Sequence, residues 1–323
     1  MRHLITGGAG FIGSHLTESF LADGDEVVVI DNFSTGSRRN LRNVADSPRL
    51  TVVEGDVLTD TELIEREVAA ADSVFHLAAA VGVELVVHDP VRTITTNVHG
   101  TENLLLAAAK HRRRIIIAST SEVYGKSTQE MFAEEDDLLI GSPYNSRWCY
   151  ACSKLLDEFY LMAFHRAAGL PGTVVRFFNT VGPRQTGRYG MVVPRFVGRA
   201  LKGEPLQVYG DGGQSRCFCH VLDVVGALRL LLGREESFGK IYNIGSQRLV
   251  TIRELAELVI ARTDSRSGIE FVPYEKAYEK GFEDMRRRKP DTRAVTGLTG
   301  WRPVRSLETI IDDVRREMEE GTR

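Results

Sequence analysis

Long apolar runs are missing from this 323-residue chain, and so is any strong excess of one charge. The first absence excludes a bilayer-spanning helix, which needs about 20 consecutive apolar residues. The second, a formal net charge of −3, leaves no global field to draw the protein to nucleic acid or to an anionic membrane. Cysteine is scarce, with four residues at 149, 152, 217 and 219. Cys149 and Cys152 have the spacing of a zinc turn, but Cys217 and Cys219 stand one residue too close, and the first pair falls inside a helical pattern. No metal site or disulfide is expected, and reduced thiols fit a cytoplasmic protein. No charged-then-apolar signal segment opens the chain, which again points to a soluble protein, and no internal repeat, linker or low-complexity stretch interrupts it. The basic run 110–114 closes a predicted helix, where cations suit the C-terminal end of the dipole.

What is present begins with Gly7-Gly8-Ala9-Gly10-Phe11-Ile12-Gly13, directly after a short buried strand that includes Leu4, Ile5 and Thr6. Glycine permits φ > 0 and lets a pyrophosphate approach the backbone, and a helix opening just beyond would aim its unpaired N–H groups at that phosphate. A glycine motif alone is weak, so the context decides. Here Glu26 to Ile30 reads as a second buried strand ending at Asp31, where an acidic side chain would accept hydrogen bonds from an adenosine ribose. The acid favours NAD over NADP, because a 2′-phosphate would be repelled. Arg38 and Arg39 are near enough to pair with such a phosphate, but they read as a solvated loop.

Strands and helices then alternate, the signature of a parallel sheet covered on both faces. Strands are predicted over 2–6, 26–31, 49–54, 73–77, 115–119 and 173–178, and helices over 14–22, 60–69, 93–110 and 150–168. The fold class is therefore α/β, a Rossmann-type doubly wound parallel sheet with a smaller mixed α/β lobe for the substrate. Residues 1–180 would form the dinucleotide domain, joined by returning segments at about 218–246; 181–217 and 247–323 would form the lobe. Glycine clusters break up the pattern after Asn179, and the tail at 309–320 is a charged amphipathic helix.

Tyr150 and Lys154 are spaced i, i+4, so the ammonium can reach under the phenol and lower its pKa. With the glycine turn and with Ser119-Thr120-Ser121-Glu122 at a strand end, the chain resembles the extended short-chain dehydrogenase/reductase superfamily of NAD-dependent nucleotide-sugar epimerases, dehydratases and decarboxylases. That resemblance covers nearly the whole sequence. Beyond Gly7, Gly10, Phe11, Ile12 and Gly13, it implies that Asp31, Asn32, Phe33, Ser34 and Gly36 surround the adenosine ribose and that Asp56 and Val57 flank the adenine. It also implies Leu77, Ala78 and Ala79 near the nicotinamide ribose, with Asn97 as a further cofactor contact. Tyr150 would take the proton of a sugar 4-hydroxyl, Lys154 would hold the nicotinamide ribose, and Thr120 would hydrogen-bond the reacting oxygen.

Within that superfamily, 4,6-dehydratases usually carry Thr-Asp-Glu and 4-epimerases usually lack the glutamate, whereas Thr120-Ser121-Glu122 resembles the UDP-glucuronic acid decarboxylases. Arg286-Arg287-Arg288-Lys289-Pro290-Asp291 is similar to their Arg-Lys-Pro segment, which makes Arg288 the catalytic arginine. The stretch 278–284 and the run Arg147-Trp148-Cys149-Tyr150 are similar to the bacterial decarboxylase domain of the aminoarabinose lipid-modification pathway. Glu122 is expected to orient the sugar or to manage the proton returned to carbon 5.

The expected substrate is a UDP-sugar. Ser121, Glu122 and Arg288 would face the sugar, Asn179 and Arg216 the diphosphate, and Gln207, Tyr209 and Val193 the uracil; Arg184 and Arg195 are unranked further candidates for phosphate. The resemblance also implies a homodimer through a four-helix interface built from 93–110 and 150–168. One departure is the segment from Ala80 to Glu84, which lacks the proline-rich pattern of UDP-xylose synthases, so UDP-xylose and the 4-keto pentose both stay open as products. The runners-up are a UDP-glucuronate 4-epimerase or a sugar 4,6-dehydratase, and from another class a non-catalytic NAD-binding sensor, against which Thr120, Tyr150 and Lys154 argue.

Overall fold

Strands buried on both faces need unbroken aliphatic runs, and Val27 to Ile30 and Ile115 to Ile117 supply them, each almost fully withdrawn from solvent. The computed structural model describes residues 1–82, 88–187, 191–273 and 285–321. In its first half the strands are β1 (Arg2–Thr6), β2 (Glu26–Asp31), β3 (Leu50–Glu54), β4 (Ser73–His76), β5 (Arg114–Thr120) and β6 (Gly172–Phe177). They are followed by β7 (Thr180–Val181), β8 (Leu206–Tyr209), β9 (Ser215–Cys217), β10 (Cys219–His220) and β11 (Lys240–Ile244). Last come β12 (Leu249–Thr251), β13 (Ile269–Val272) and β14 (Arg287–Arg288).

Seven of these make one sheet in the order β11-β6-β5-β4-β1-β2-β3, and all its pairings are parallel. The order reverses between β1 and β4, which opens a crevice at their carboxyl ends, the position where ligands bind such sheets.

Helices cover both faces. Among the described residues they are α1 (Phe11–Ala22), α2 (Thr61–Ala70), α3 (Pro90–Lys110), α4 (Trp148–Ala168), α5 (Val192–Leu201), α6 (Val221–Leu232), α7 (Ile252–Arg262), α8 (Arg293–Thr299) and α9 (Leu307–Gly321). Leu16 and Phe20 of α1 pack with Val224 and Leu228 of α6 on one face; Ile64 and Val68 of α2, Leu104 of α3 and Leu161 of α4 pack on the other. Helix α3 begins earlier than its pattern suggested, because the Asp89 side chain accepts from Arg92 N at 3.0 Å and Pro90 is tolerated at the first helical position.

A separate core joins α5, α7 and α9 through Val193, Phe196, Leu255 and Ile310. Beside it lie small sheets pairing β8 with β13, and β9 with both β12 and β14. The stretches 83–84 and 278–284 named above lie outside the described residues. Among those described, no helix is long and apolar enough to cross a membrane.

Candidate active site

Gly7 follows β1 with φ +70°, and a Cβ there would stand 2.7 Å from Ala78 N, so the turn lies directly against the backbone that leaves β4. A Cβ on Gly13 would collide with the Gly7 carbonyl oxygen. These two glycines let α1 start close above the strand ends. Gly10 caps α1 without a side-chain hydrogen bond, and the first helical bond runs from Ser14 N to Gly10 O at 3.1 Å. Phe11, Ile12 and Gly13, whose N–H groups precede that bond, line a cavity of about 900 Å³. An unobstructed cradle with a positive helix end and no acidic residue in its first turn fits a diphosphate.

Beside this turn Asp31 ends β2. Its carboxylate accepts from Ala9 N at 2.9 Å and Phe33 N at 2.8 Å, and burial raises its pKa against the opposing pull of those two N–H groups. Gly36 lies over the same carboxylate, where a Cβ would come within 2.8 Å of Oδ2. Asn32, Ser34, Asp56 and Val57 complete this end of the cavity wall, whereas Phe33 and Gly36 are not part of it. Arg38 stacks over the Phe33 ring at 4.3 Å and pairs with Glu54 at 3.0 Å, outside the cavity. Residues 38–44 form a 3₁₀ helix, capped by Ser37, where a loop was expected.

At the carboxyl end of β5 the Thr120 hydroxyl accepts from Glu122 N at 3.2 Å and starts a short 3₁₀ turn that carries Ser121 and Glu122. Glu122 is enclosed by two guanidinium groups, Arg147 Nη2 at 3.1 Å and Arg288 Nη1 at 2.5 Å. Burial opposes its ionisation, yet the two arginines prevail and hold its carboxyl down at about 2. Arg288 arrives on β14, whose register against β9 places it opposite Arg216. The following residues are pinned by Phe132, which donates from N to Lys289 O and accepts from Asp291 N, both at 2.8 Å.

Tyr150 and Lys154 project from α4 into this end of the cavity. The expected lowering of the phenol by Lys154 is not what the structure has. Burial raises the Tyr150 pKa, the Glu122 charge adds to that, and a hydrogen bond with Thr120 opposes it. Lys154 instead donates to Asp157 Oδ2 at 2.6 Å.

Most of the residues expected at the site meet in this one cavity, including Leu77, Ala78 and Ala79, and Asn179, Val193, Tyr209 and Arg216 on the lobe side. Asn97 does not. It accepts from Ala80 N at 2.7 Å and donates to Ala80 O at 3.2 Å and Ser153 Oγ at 3.1 Å, bracing α4 and the segment after β4. Gln207 turns outward to Glu270. The two unranked arginines separate cleanly. Arg184 is spent on Glu18 at 2.6 Å and on Ser14 at 3.2 Å, whereas Arg195 lines the cavity, its guanidinium 4.4 Å over the Tyr209 ring and donating to the phenol oxygen at 2.7 Å. Sequence reasoning gave Arg147 no role, although it sits one helical turn before Tyr150, a spacing that puts both on one face.

The family model described as the NAD dependent epimerase/dehydratase family matches residues 3–245. Among curated proteins, the UDP-N-acetyl-alpha-D-glucosaminuronate decarboxylase of Bacillus cytotoxicus is 43% identical over 309 residues, spanning 95% of this chain and 94% of that protein. UDP-glucuronic acid decarboxylase 1 of Danio rerio is 37% identical over 308 residues, 95% of this chain and 70% of that protein. Among solved structures, a UDP-glucose 4-epimerase from Thermotoga maritima with UDP-glucose has a TM-score of 0.89 at 32% identity, with 100% of both chains covered. A dTDP-glucose 4,6-dehydratase from Streptomyces venezuelae with NAD bound has a TM-score of 0.89 at 33% identity, covering 99% of this chain and 98% of that one.

Proposed function

Because the chain belongs to the NAD dependent epimerase/dehydratase family, we propose that it is an NAD-dependent decarboxylase of UDP-glucuronic acid, giving UDP-xylose, the UDP-4-keto-pentose, or both. The observation that carries this reading is Glu122 clamped by Arg147 and Arg288 beside Tyr150, because it brings the residues that resemble the decarboxylases to one point at the end of β5. The relatives named above as decarboxylases support it. NAD fits the cleft through the bare glycine turn and the inward-facing Asp31, with Lys154 available to its nicotinamide ribose.

The chemistry supplied by bound NAD is acceptance of a hydride from carbon 4 of the sugar. Tyr150 acts after giving its own proton, which burial holds in the ligand-free protein, to water; as the phenolate it takes the proton of the 4-hydroxyl. That carbon becomes a ketone β to the 6-carboxylate, so the bond to the carboxyl carbon breaks with its electron pair settling as an enolate. Hydroxyl groups of Thr120 and Tyr150 donate to the enolate oxygen. Glu122, its carboxyl held at about 2, orients the sugar by accepting hydrogen bonds, which favours the first of its two expected roles. The proton that carbon 5 then gains, turning the enolate into the 4-keto pentose, comes from water. UDP-xylose forms where the hydride returns to carbon 4 and Tyr150 gives its proton back to the oxygen. Arg288 shares its charge with Glu122, so its grip on the substrate carboxylate is weakened, and a weak grip suits a group that must leave.

One observation favours a second substrate, the N-acetylated uronate, since the relative at 43% identity is named for it. In the same reading residues 1–180 and 218–246 hold the dinucleotide and the rest of the chain holds the UDP-sugar, in a cytoplasmic homodimer. Val91 of α3 and Phe159 of α4, 73% and 61% exposed, are apolar surface of the kind such a four-helix interface covers.

The test is incubation with NAD and each UDP-uronate, followed by NMR of the sugar protons and mass spectrometry of the nucleotide product. A five-carbon sugar and carbon dioxide are expected. UDP-galacturonate with all six carbons would overturn the proposal in favour of 4-epimerisation.

A further inference from the structure

Behind the cavity wall lies a buried polar cluster that the chemistry above does not use. Lys154 and Asp157 are 2% and 0% exposed and bonded at 2.6 Å, and only the lysine belongs to the cavity wall. Asp157 Oδ1 has no hydrogen-bond partner. A row of uncharged groups closes the far side: Thr6 Oγ1 meets His76 Nδ1 at 2.7 Å, and His76 Nε2 meets Thr101 Oγ1 at 3.0 Å. Burial raises the Asp157 pKa, and the Lys154 ammonium and the Thr101 side chain against its carboxylate oppose that rise. His76 stays neutral, its pKa driven down to about 3 by burial and by the Lys154 charge.

A buried ion pair contributes little net stability compared with apolar residues of the same shape. The pair is therefore better explained by what it does to the lysine. We propose that Asp157 is a positioning residue for this enzyme, a carboxylate that holds the Lys154 ammonium from behind and restricts how much of its charge reaches Tyr150.

An ammonium has three N–H bonds; Asp157 takes one and leaves two for the cavity side. Two other carboxylates near this helix are matched. Glu122 faces Arg147 and Arg288, and Glu158, one residue beyond Asp157, is held by Arg176 at 2.7 Å and by Ser119 at 2.5 Å. Among the described residues, Thr120 hydrogen-bonds the phenol, and Thr101 and the neutral His76 stand behind Asp157. Asp157 is, after Glu122, a second anion that opposes the phenolate, so its removal both unmasks a cation and deletes that charge.

This inference rests on the roles given above to Tyr150 and Lys154. Its test is the pH dependence of NAD reduction in a single turnover with UDP-glucuronic acid, read at 340 nm, together with calorimetric titration of NAD into the substrate-free protein. In Asp157→Asn the acid limb of the rate profile is expected to move to lower pH by about one unit. Asp157→Ala, which leaves the ammonium without an acceptor, is expected to bind NAD about tenfold more weakly. An asparagine variant of wild-type thermal midpoint whose acid limb does not move overturns the proposal, because a purely structural pair would behave that way. Should the first two variants fail to fold, Asp157→Glu keeps the charge but displaces it: weaker NAD binding with an unmoved limb supports the proposal, and wild-type binding overturns it. If the wild-type protein never reduces NAD with this substrate, the proposed function fails, and the calorimetric comparison still decides whether Asp157 holds Lys154 in place.

Discussion

Glu122 is an anion enclosed by two arginines that hold its carboxyl at about 2, and near neutral pH this limits it to accepting hydrogen bonds. Tyr150 is the opposite case, a phenol whose proton burial protects until a ligand changes its surroundings. Replacing Tyr150 by Phe is expected to slow hydride transfer by at least about 100-fold while NAD affinity in a calorimetric titration changes little; turnover that survives would remove the phenol from its role. Arg288→Ala and Glu122→Ala are expected to reduce carbon dioxide release far more than NAD affinity, measured as released label from a 6-carbon-labelled substrate. Unchanged release from either variant would dismiss that residue.

Elements decide how much of this was legible beforehand. The glycine turn, the strand ending at Asp31, and the Tyr150/Lys154 pair were readable because each is a pattern inside one element or its turn. The α7 helix was not identified, although Thr251 and Glu254 carry a complete capping box, and α5 was hidden by Pro194, which a helix tolerates in its first turn. The outward turn of Gln207, the bracing role of Asn97 and the separation of Arg184 from Arg195 depend on contacts between elements distant in sequence, which no local pattern encodes.

At this scale Gly13→Ala is expected to destabilise by about 1–3 kcal/mol, since the added methyl meets the Gly7 carbonyl, and to weaken NAD binding in parallel. Normal thermal melting and NAD affinity would show that the turn has room to give. Phe159→Glu is expected to shift the sedimentation coefficient to that of a monomer; a dimer that persists would place the interface elsewhere.

For the molecule as a whole, the buried histidines make acid the weak side. His76 and His15 have pKa values lowered by burial to about 3 and about 4 from an ordinary 6.5, so the unfolded chain takes up protons that the folded one refuses. Their contribution to stability is complete above pH 6.5 and is lost as pH falls toward those values; Glu122 adds a second loss below about 4.5. The thermal midpoint is expected to be flat near neutrality and to fall progressively below pH 6.5, and a midpoint constant down to pH 4 would contradict this.

The path of the chain has a further consequence. After building β8 and β9 it returns to lay β11 beside β6, and Val295 and Trp301 later come back to pack with Phe20 and Leu228. A lobe that reads the substrate, as proposed above, would therefore be no cassette that recombination could lift from one relative into another. A chimera joined at a single point would sever the edge of the main sheet from its neighbour. New sugar preferences in this scaffold would come through stepwise replacement of wall residues such as Ser121 and Arg147, not through the exchange of modules.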